Sequence, residues 1–116
     1  MSAMAKTLFE KICDREIPAD IVYEDALCVA FKDIHPQAPL HVQLVPRKPI
    51  PRLCDATVED QALFGHLLLT APKIAEAAGY GEAFRLVVNN GAGAGQSVFH
   101  LHLHILAGRP LKWPPG

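Results

Sequence analysis

The sequence predicts an α+β fold, an antiparallel sheet carrying one long helix, on three observations. Short β-branched and aromatic runs recur with hairpin-length connections, which antiparallel neighbours require. Residues 58–78 place apolar side chains at three- and four-residue spacing, the rhythm of a long helix. The order strands, helix, strands segregates that helix to one face of the sheet.

In chain order, residues 6–15 read as a short helix with Leu8, Phe9 and Ile12 on one side, followed by a break at Pro18. Ile21–Glu24 and 27–32 are strands separated by Asp25 and Ala26, a hairpin. Residues 33–39 form a loop, because Pro36 and Pro39 forbid both helix and ladder pairing. The third strand, 40–45, alternates Leu40, Val42 and Leu44 against His41, Gln43 and Val45. Thr57-Val58-Glu59-Asp60 resembles a capping box at the start of the long helix. Leu63, Phe64, Leu67, Leu68, Ala71, Ile74, Ala75 and Ala78 then mark its apolar side, and Gly79 its stop. Pro72 removes one backbone hydrogen bond within it, so a bend near residue 70 is expected. Residues 84–89 are a fourth strand, 90–96 a flexible glycine loop, and 98–106 the fifth and longest strand. The tail, 109–116, holds three prolines and Trp113 and has no regular period.

With 116 residues and no repeat, linker or low-complexity block, the chain reads as a single domain over 1–116. A net charge of −1 supplies no basic field, so a polymeric nucleic acid is not an expected partner, whereas a small anion needs only a local site. The N-terminus is charged by residue 6 without an apolar segment behind it, so no secretory signal is expected. No uncharged apolar stretch is long enough for a bilayer, and no membrane partner is expected. Cys13, Cys28 and Cys54 are odd in number and lack a CxxC pair, which reads as reduced, buried or half-buried thiols in a cytoplasmic protein.

The chemistry concentrates in residues 97–106. On a strand, Phe99, Leu101, Leu103 and Ile105 face the core while His100, His102 and His104 share the other side, three of the six histidines of the chain. One reading is a metal site, since imidazole is a common ligand. Same-face residues on a strand stand about 6.6 Å apart, so the outer two histidines are about 13 Å apart and cannot easily share one ion without help from His41 or Asp33. The other reading is nucleophilic attack on phosphorus by His102. With its Nδ1–H held by an acceptor, Nε2 offers a lone pair, and flanking imidazoles can supply a proton to an amine leaving group. Phosphoryl chemistry also needs donors for nonbridging oxygens. Asn89 and the glycine loop through Gln96 and Ser97 lie just upstream, without the sequence of a phosphate-binding P-loop.

The run His100-Leu101-His102-Leu103-His104-Ile105-Leu106 resembles the H-x-H-x-H-x-x signature of the histidine-triad (HIT) superfamily. Glu16-Ile17-Pro18-Ala19, Phe31-Lys32-Asp33-Ile34, Pro36-Gln37-Ala38-Pro39, Gly95-Gln96-Ser97 and Trp113-Pro114-Pro115-Gly116 extend the likeness over nearly the whole chain, most closely to the Hint branch of nucleoside phosphoramidases. The resemblance implies a HIT-like five-stranded sheet that dimerises into a larger one. It also implies hydrolysis of adenosine 5′-monophosphoramidate and aminoacyl adenylates to AMP through a nucleotidyl-histidine, with no cofactor. By the same resemblance His102 is the nucleophile, with His100, His104 and His41 as its imidazole network and Ser97 beside the leaving group. Asn89, Gly95, Gln96, Ser97 and Val98 line the phosphate position, and Asp33 binds the ribose hydroxyls. Phe9, Ile12, Ile17, Phe31 and Ile34 sandwich the purine. Relatives with a structural zinc carry a CxxC pair where this chain has Thr7 and Glu10, so no metal is expected. His35 and Pro72 depart from the usual pattern. Two other activities fit the resemblance, a nucleotide-binding interaction module and a dinucleoside-polyphosphate hydrolase.

Overall fold

The computed structural model describes residues 5–116; the first four residues, where the chain was read as lacking a signal segment, lie outside it. Helix α1 (Leu8–Cys13) precedes strands β1 (Ile21–Glu24), β2 (Cys28–Lys32) and β3 (Leu40–Pro46). Helix α2 (Gln61–Ala77) follows, then strands β4 (Phe84–Val87) and β5 (Leu103–Ala107). The sheet order is β1-β2-β3-β5-β4 with every pair antiparallel, as the connection lengths required.

Alternation along the strands divides the interior into two layers. On one face Ala30, Val42, Leu44, Leu103 and Ile105 pack beneath Leu67, Ala71, Ile74 and Ala75 of α2. On the other, Val29, Phe31 and Val45 pack beneath Phe9, Ile12 and Cys13 of α1. Each large aliphatic side chain withdrawn from water contributes about 1.5–3 kcal/mol. The smaller α1 layer leaves much of its side of the sheet uncovered, and the site lies there.

Local chemistry sets the helix limits. The Thr7 hydroxyl accepts the Glu10 N–H and the Glu10 carboxylate accepts the Thr7 N–H, closing α1 as a capping box. Thr57 and Asp60 repeat this at Val58–Asp60, but that turn is a 3-10 helix, and the α-helix begins only at Gln61. Pro72 does not divide α2. Its missing hydrogen bond falls beside the exposed Leu68 and Leu69, where water can satisfy the freed carbonyl. Exposure of Leu68 and Ala78 narrows the buried stripe relative to the sequence expectation. No helix among the described residues is long and apolar enough to cross a membrane.

The largest correction concerns the expected strand over 98–106. Only Leu103–Ala107 pairs, and 97–102 runs as irregular chain. Continued past Leu44↔Leu103, the register would set Val45 opposite His102 and then Pro46 opposite Leu101, and Pro46 has no N–H to extend the ladder. The chain turns off the sheet instead, and the Leu101 N–H donates to Ile50 O at 2.7 Å. Phe99, expected in the core, is exposed. Cys13 and Cys28 are buried free thiols, but Cys54 is exposed.

Asp25, at the β1–β2 turn, ties the hairpin to α2. Its Oδ1 accepts the N–H groups of Leu27 and Cys28 at 2.8 and 2.9 Å. Its Oδ2 accepts the Tyr23 hydroxyl at 2.8 Å and His66 Nε2 at 2.7 Å. Burial pushes the carboxyl upward, but these donors outweigh it and hold Asp25 well below the usual carboxylate range. Burial first, and then this carboxylate, push the Cys28 thiol up to about 12, which keeps it protonated. Asp25→Ala should lower stability by about 2–3 kcal/mol at pH 7, read from urea unfolding. Because the folded-state carboxyl is depressed, its contribution is intact above the usual carboxylate range and is lost as pH falls below it. The variant's stability should therefore fall less steeply than wild type in acid.

Candidate active site

A cavity of about 720 Å³ opens on the α1 face of the sheet. Leu8, Phe9 and Ile12 of α1 and Ile17 just beyond it form one wall. The β2–β3 loop supplies Asp33, Ile34 and His35, and the segment before β5 supplies Asn89, Gly95, Ser97 and Val98. The sheet supplies the floor as one row, since Phe31 faces Gln43 across β2–β3 and Gln43 faces His104 across β3–β5. The cavity thus grades from aromatic and aliphatic at one end to imidazole at the other, where His102 joins His104.

The hydrogen bonds assign the tautomers of His41, His100, His102 and His104. His102 Nδ1 lies 2.7 Å from the carbonyl of His100; a carbonyl only accepts, so Nδ1 carries the proton and Nε2 keeps its lone pair. His100 Nε2–H donates to Pro46 O at 2.7 Å, leaving Nδ1 to accept the Thr7 hydroxyl at 2.6 Å. The Gln37 N–H donates to His41 Nδ1 at 3.0 Å, so His41 Nε2–H donates to His104 Nδ1 at 2.9 Å. His104 therefore keeps its proton on Nε2. The Phe9 ring stands edge-on to His102 with centroids 5.0 Å apart, and His102 and His104 are likewise 5.0 Å apart.

Burial keeps these rings neutral. It lowers His100, His102 and His41 from their ordinary values, opposed by the accepting carbonyls at the first two and by Asp33 at the third. His104 falls to about 4, through burial and then the neighbouring His102 and His41. Asp33 is the negative charge that acts on His41, His102 and His104, and Glu10 the one that acts on His100. Burial raises the Asp33 carboxyl, but the His35 N–H, the Gln43 amide and the nearby imidazoles bring it below the usual range.

Two expectations of shared placement need correction. His100 is not beside the other two rings in the cavity; it is fully buried between Thr7 and Pro46, because its segment has left the strand. Gln96 does not line the cavity. Its buried side chain accepts the Gly91 N–H and donates to Pro51 O and Val98 O, which folds the glycine loop. His41 stands behind His104, outside the wall. Gly95 has φ +102, in the left-handed region that excludes most side chains. His35, noted in the sequence only as a departure from the usual pattern, lines the cavity, as do Leu8, Pro18, Ala19, Asp20, Lys32 and Gln43, which the sequence did not mark as site residues. Gln43 had a signal, its alternation with His41 on the side of the strand away from Leu40, Val42 and Leu44.

Among the described residues two groups bring three potential metal-ligating residues within 4.8 Å: Asp33 with His41 and His104, and Asp25 with Cys28 and His66. In both, these atoms already meet as hydrogen-bond donors and acceptors.

Residues 14–111 match the model of the HIT domain family. The chain is 47% identical over 107 residues to the purine nucleoside phosphoramidase of Escherichia coli, covering 91% of this chain and 90% of that protein. It is 66% identical over 110 residues to an uncharacterised HIT-like protein of Synechocystis sp., covering 95% and 96%. The crystal structure of a HIT family hydrolase from Legionella pneumophila superposes with TM-score 0.93 at 46% identity, over 96% of this chain and 100% of that one. A histidine-triad protein from Clostridium difficile gives TM-score 0.89 at 40% identity, over 97% of each.

Nitrogen NMR of the imidazoles checks the tautomers: at pH 7, Nδ1–H at His102 and Nε2–H at His41, His100 and His104. As the folded-state values are lowered, the unfolded chain takes up protons first. The stability these rings contribute is complete above about pH 6.5 and declines as pH falls toward about 4, the His104 value. Unfolding free energies across that range should show the decline.

Proposed function

This chain belongs to the HIT family, and from that premise we propose that it is a purine nucleoside phosphoramidase. Its substrates are adenosine 5′-monophosphoramidate and related P–N compounds, with aminoacyl adenylates among them, and its product is AMP. The observation that carries the reading is the lock on His102: with Nδ1–H given to His100 O, the Nε2 lone pair belongs to the cavity.

In this reading the base lies between Phe9, Ile12, Ile17, Phe31 and Ile34, an apolar cleft suited to two flat faces. Asp33, acceptor-only, takes the ribose hydroxyls. The phosphate then reaches the imidazole end, among Asn89, Gly95, Ser97 and Val98. Nε2 of His102 attacks phosphorus, the bond to the amine breaks, and a nucleotidyl-histidine forms. Water then attacks phosphorus, releases AMP and restores the ring. Neutral His104 carries its free proton on Nε2 and serves as a hydrogen-bond donor to a nonbridging oxygen, since its low pKa leaves little imidazolium to act as acid. The Ser97 hydroxyl passes a proton to the departing amine and recovers one from water. His41 fixes His104, and His100 fixes His102 through its main chain. The reading treats residues 1–116 as one domain of a cytoplasmic protein.

A homodimer joining two sheets is part of the proposal. The outer edge of β4 supports it, as do the exposed Leu68 and Leu69 and the apolar groove of Leu53, Phe64 and Val88 beside them. Light scattering should give twice 12.6 kDa; a monomer would remove this part.

Adenosine phosphoramidate should yield AMP at an unchanged rate in EDTA, and loss of turnover on chelation would contradict a metal-free mechanism. His102→Ala should lower turnover by about 10⁴-fold or more while AMP still binds. His104→Ala should lower it by about 10²–10³-fold. A product assay on diadenosine polyphosphates separates the polyphosphate hydrolases of the same superfamily.

A further inference from the structure

Gln43 occupies the middle of the cavity floor, between Phe31 at the aromatic end and His104 at the imidazole end. Its Nε2 donates to Asp33 Oδ2 at 2.7 Å. Its Oε1 is sealed from solvent and is the only buried side-chain nitrogen or oxygen among the described residues with no hydrogen-bond partner. Reversing the amide would not cure this, because Oε1 would then face the Asp33 carboxylate. The arrangement leaves the desolvation of a carbonyl uncompensated so that an N–H can be held against a carboxylate. A leucine of similar volume would remove the orphaned oxygen from an otherwise packed floor. Stability alone does not favour glutamine here.

The Asp33 end explains the choice. Oδ1 accepts the His35 N–H at 2.8 Å from the loop side, and Oδ2 accepts Gln43 from the sheet side. His41 Nε2 lies 3.4 Å from Oδ2, but its proton is given to His104 at the shorter distance. Each carboxylate oxygen has two lone-pair sites, so these bonds fix the plane of the carboxylate and leave one free acceptor position on each oxygen. Two acceptors at carboxylate spacing match the two adjacent hydroxyls of a ribose.

We propose that Gln43 is a positioning residue for sugar recognition, orienting Asp33 so that the site distinguishes ribose from deoxyribose, at some expense in fold stability. The proposal rests on the nucleotide reading of the cavity. The His35 main chain alone would hold one oxygen and allow the other to swing, and a swinging carboxylate grips one hydroxyl as well as two.

The test is calorimetric binding of AMP and 2′-deoxy-AMP to wild type, Gln43→Leu and Gln43→Glu, with thermal unfolding of each. Wild type should prefer AMP by about tenfold or more, the worth of one hydrogen bond to a charged group. Gln43→Leu should reduce the preference to within about threefold while its Tm equals or exceeds that of wild type. Gln43→Glu, which replaces the donor with a like charge, should lose the preference and bind AMP more weakly still. A Gln43→Leu protein that keeps the wild-type preference overturns the proposal. So does one that loses Tm and weakens both nucleotides in equal proportion, the signature of a structural role. If wild type binds AMP without sugar preference, the Asp33 assignment fails and takes Gln43 with it. If wild type binds neither nucleotide, the nucleotide reading itself is wrong.

Discussion

The main chain of His100 determines the orientation of the ring proposed as nucleophile. Its carbonyl accepts the His102 Nδ1–H, and the His100 ring is itself pinned, giving a proton to Pro46 and taking one from Thr7. Thr7 also caps α1, so a single hydroxyl couples the helix that carries Phe9 and Ile12 to the segment that carries His102. The two ends of the cavity are registered to one another through this chain of hydrogen bonds. A buried ring with both nitrogens satisfied has one low-energy orientation, which preorganises the neighbouring ring at no further entropic expense.

The same irregularity makes this possible. Were 98–106 a full strand, the carbonyl of His100 would point along the sheet toward a ladder partner and would not be free for the side chain two residues on. Pro46 ends β3, offers no N–H to Leu101, which the register would bring opposite it, and presents its own carbonyl to the His100 ring. His104, two residues further, lies within β5 and is paired across to both Gln43 and Val87. One triad member is therefore fixed by the sheet, one by its own chain and one by the packing of α1.

Electrostatics follow from the same packing. His102, His104 and Asp33 line the cavity, with His41 and His100 packed outside it, and burial keeps the imidazoles uncharged while Asp33 stays ionised. A neutral ring is the nucleophilic form, and a neutral neighbour with a fixed N–H is a donor to developing negative charge. The orphaned oxygen of Gln43 shows the usual tension between a floor packed for stability and one arranged to hold a charged group still.

The sequence alone determined the sheet, its antiparallel pairing and the face of α2 that is buried, because side-chain alternation and helical periodicity are local properties of the chain. Strand alternation also singled out His102 and His104, whereas Asp33 and the apolar residues around them entered as nucleotide-binding residues only through the resemblance to the HIT superfamily. Three features came only from the folded molecule: the departure of 97–102 from the sheet, the burial of His100, and the turning of Gln96 into its own loop. Each depends on a partner remote in sequence, Pro46, Thr7 and Pro51 respectively, and periodicity carries no information about which distant groups will meet. The orientation of Gln43 toward Asp33 belongs with them, for a hydrogen bond across ten residues is decided by how β3 and the preceding loop pack.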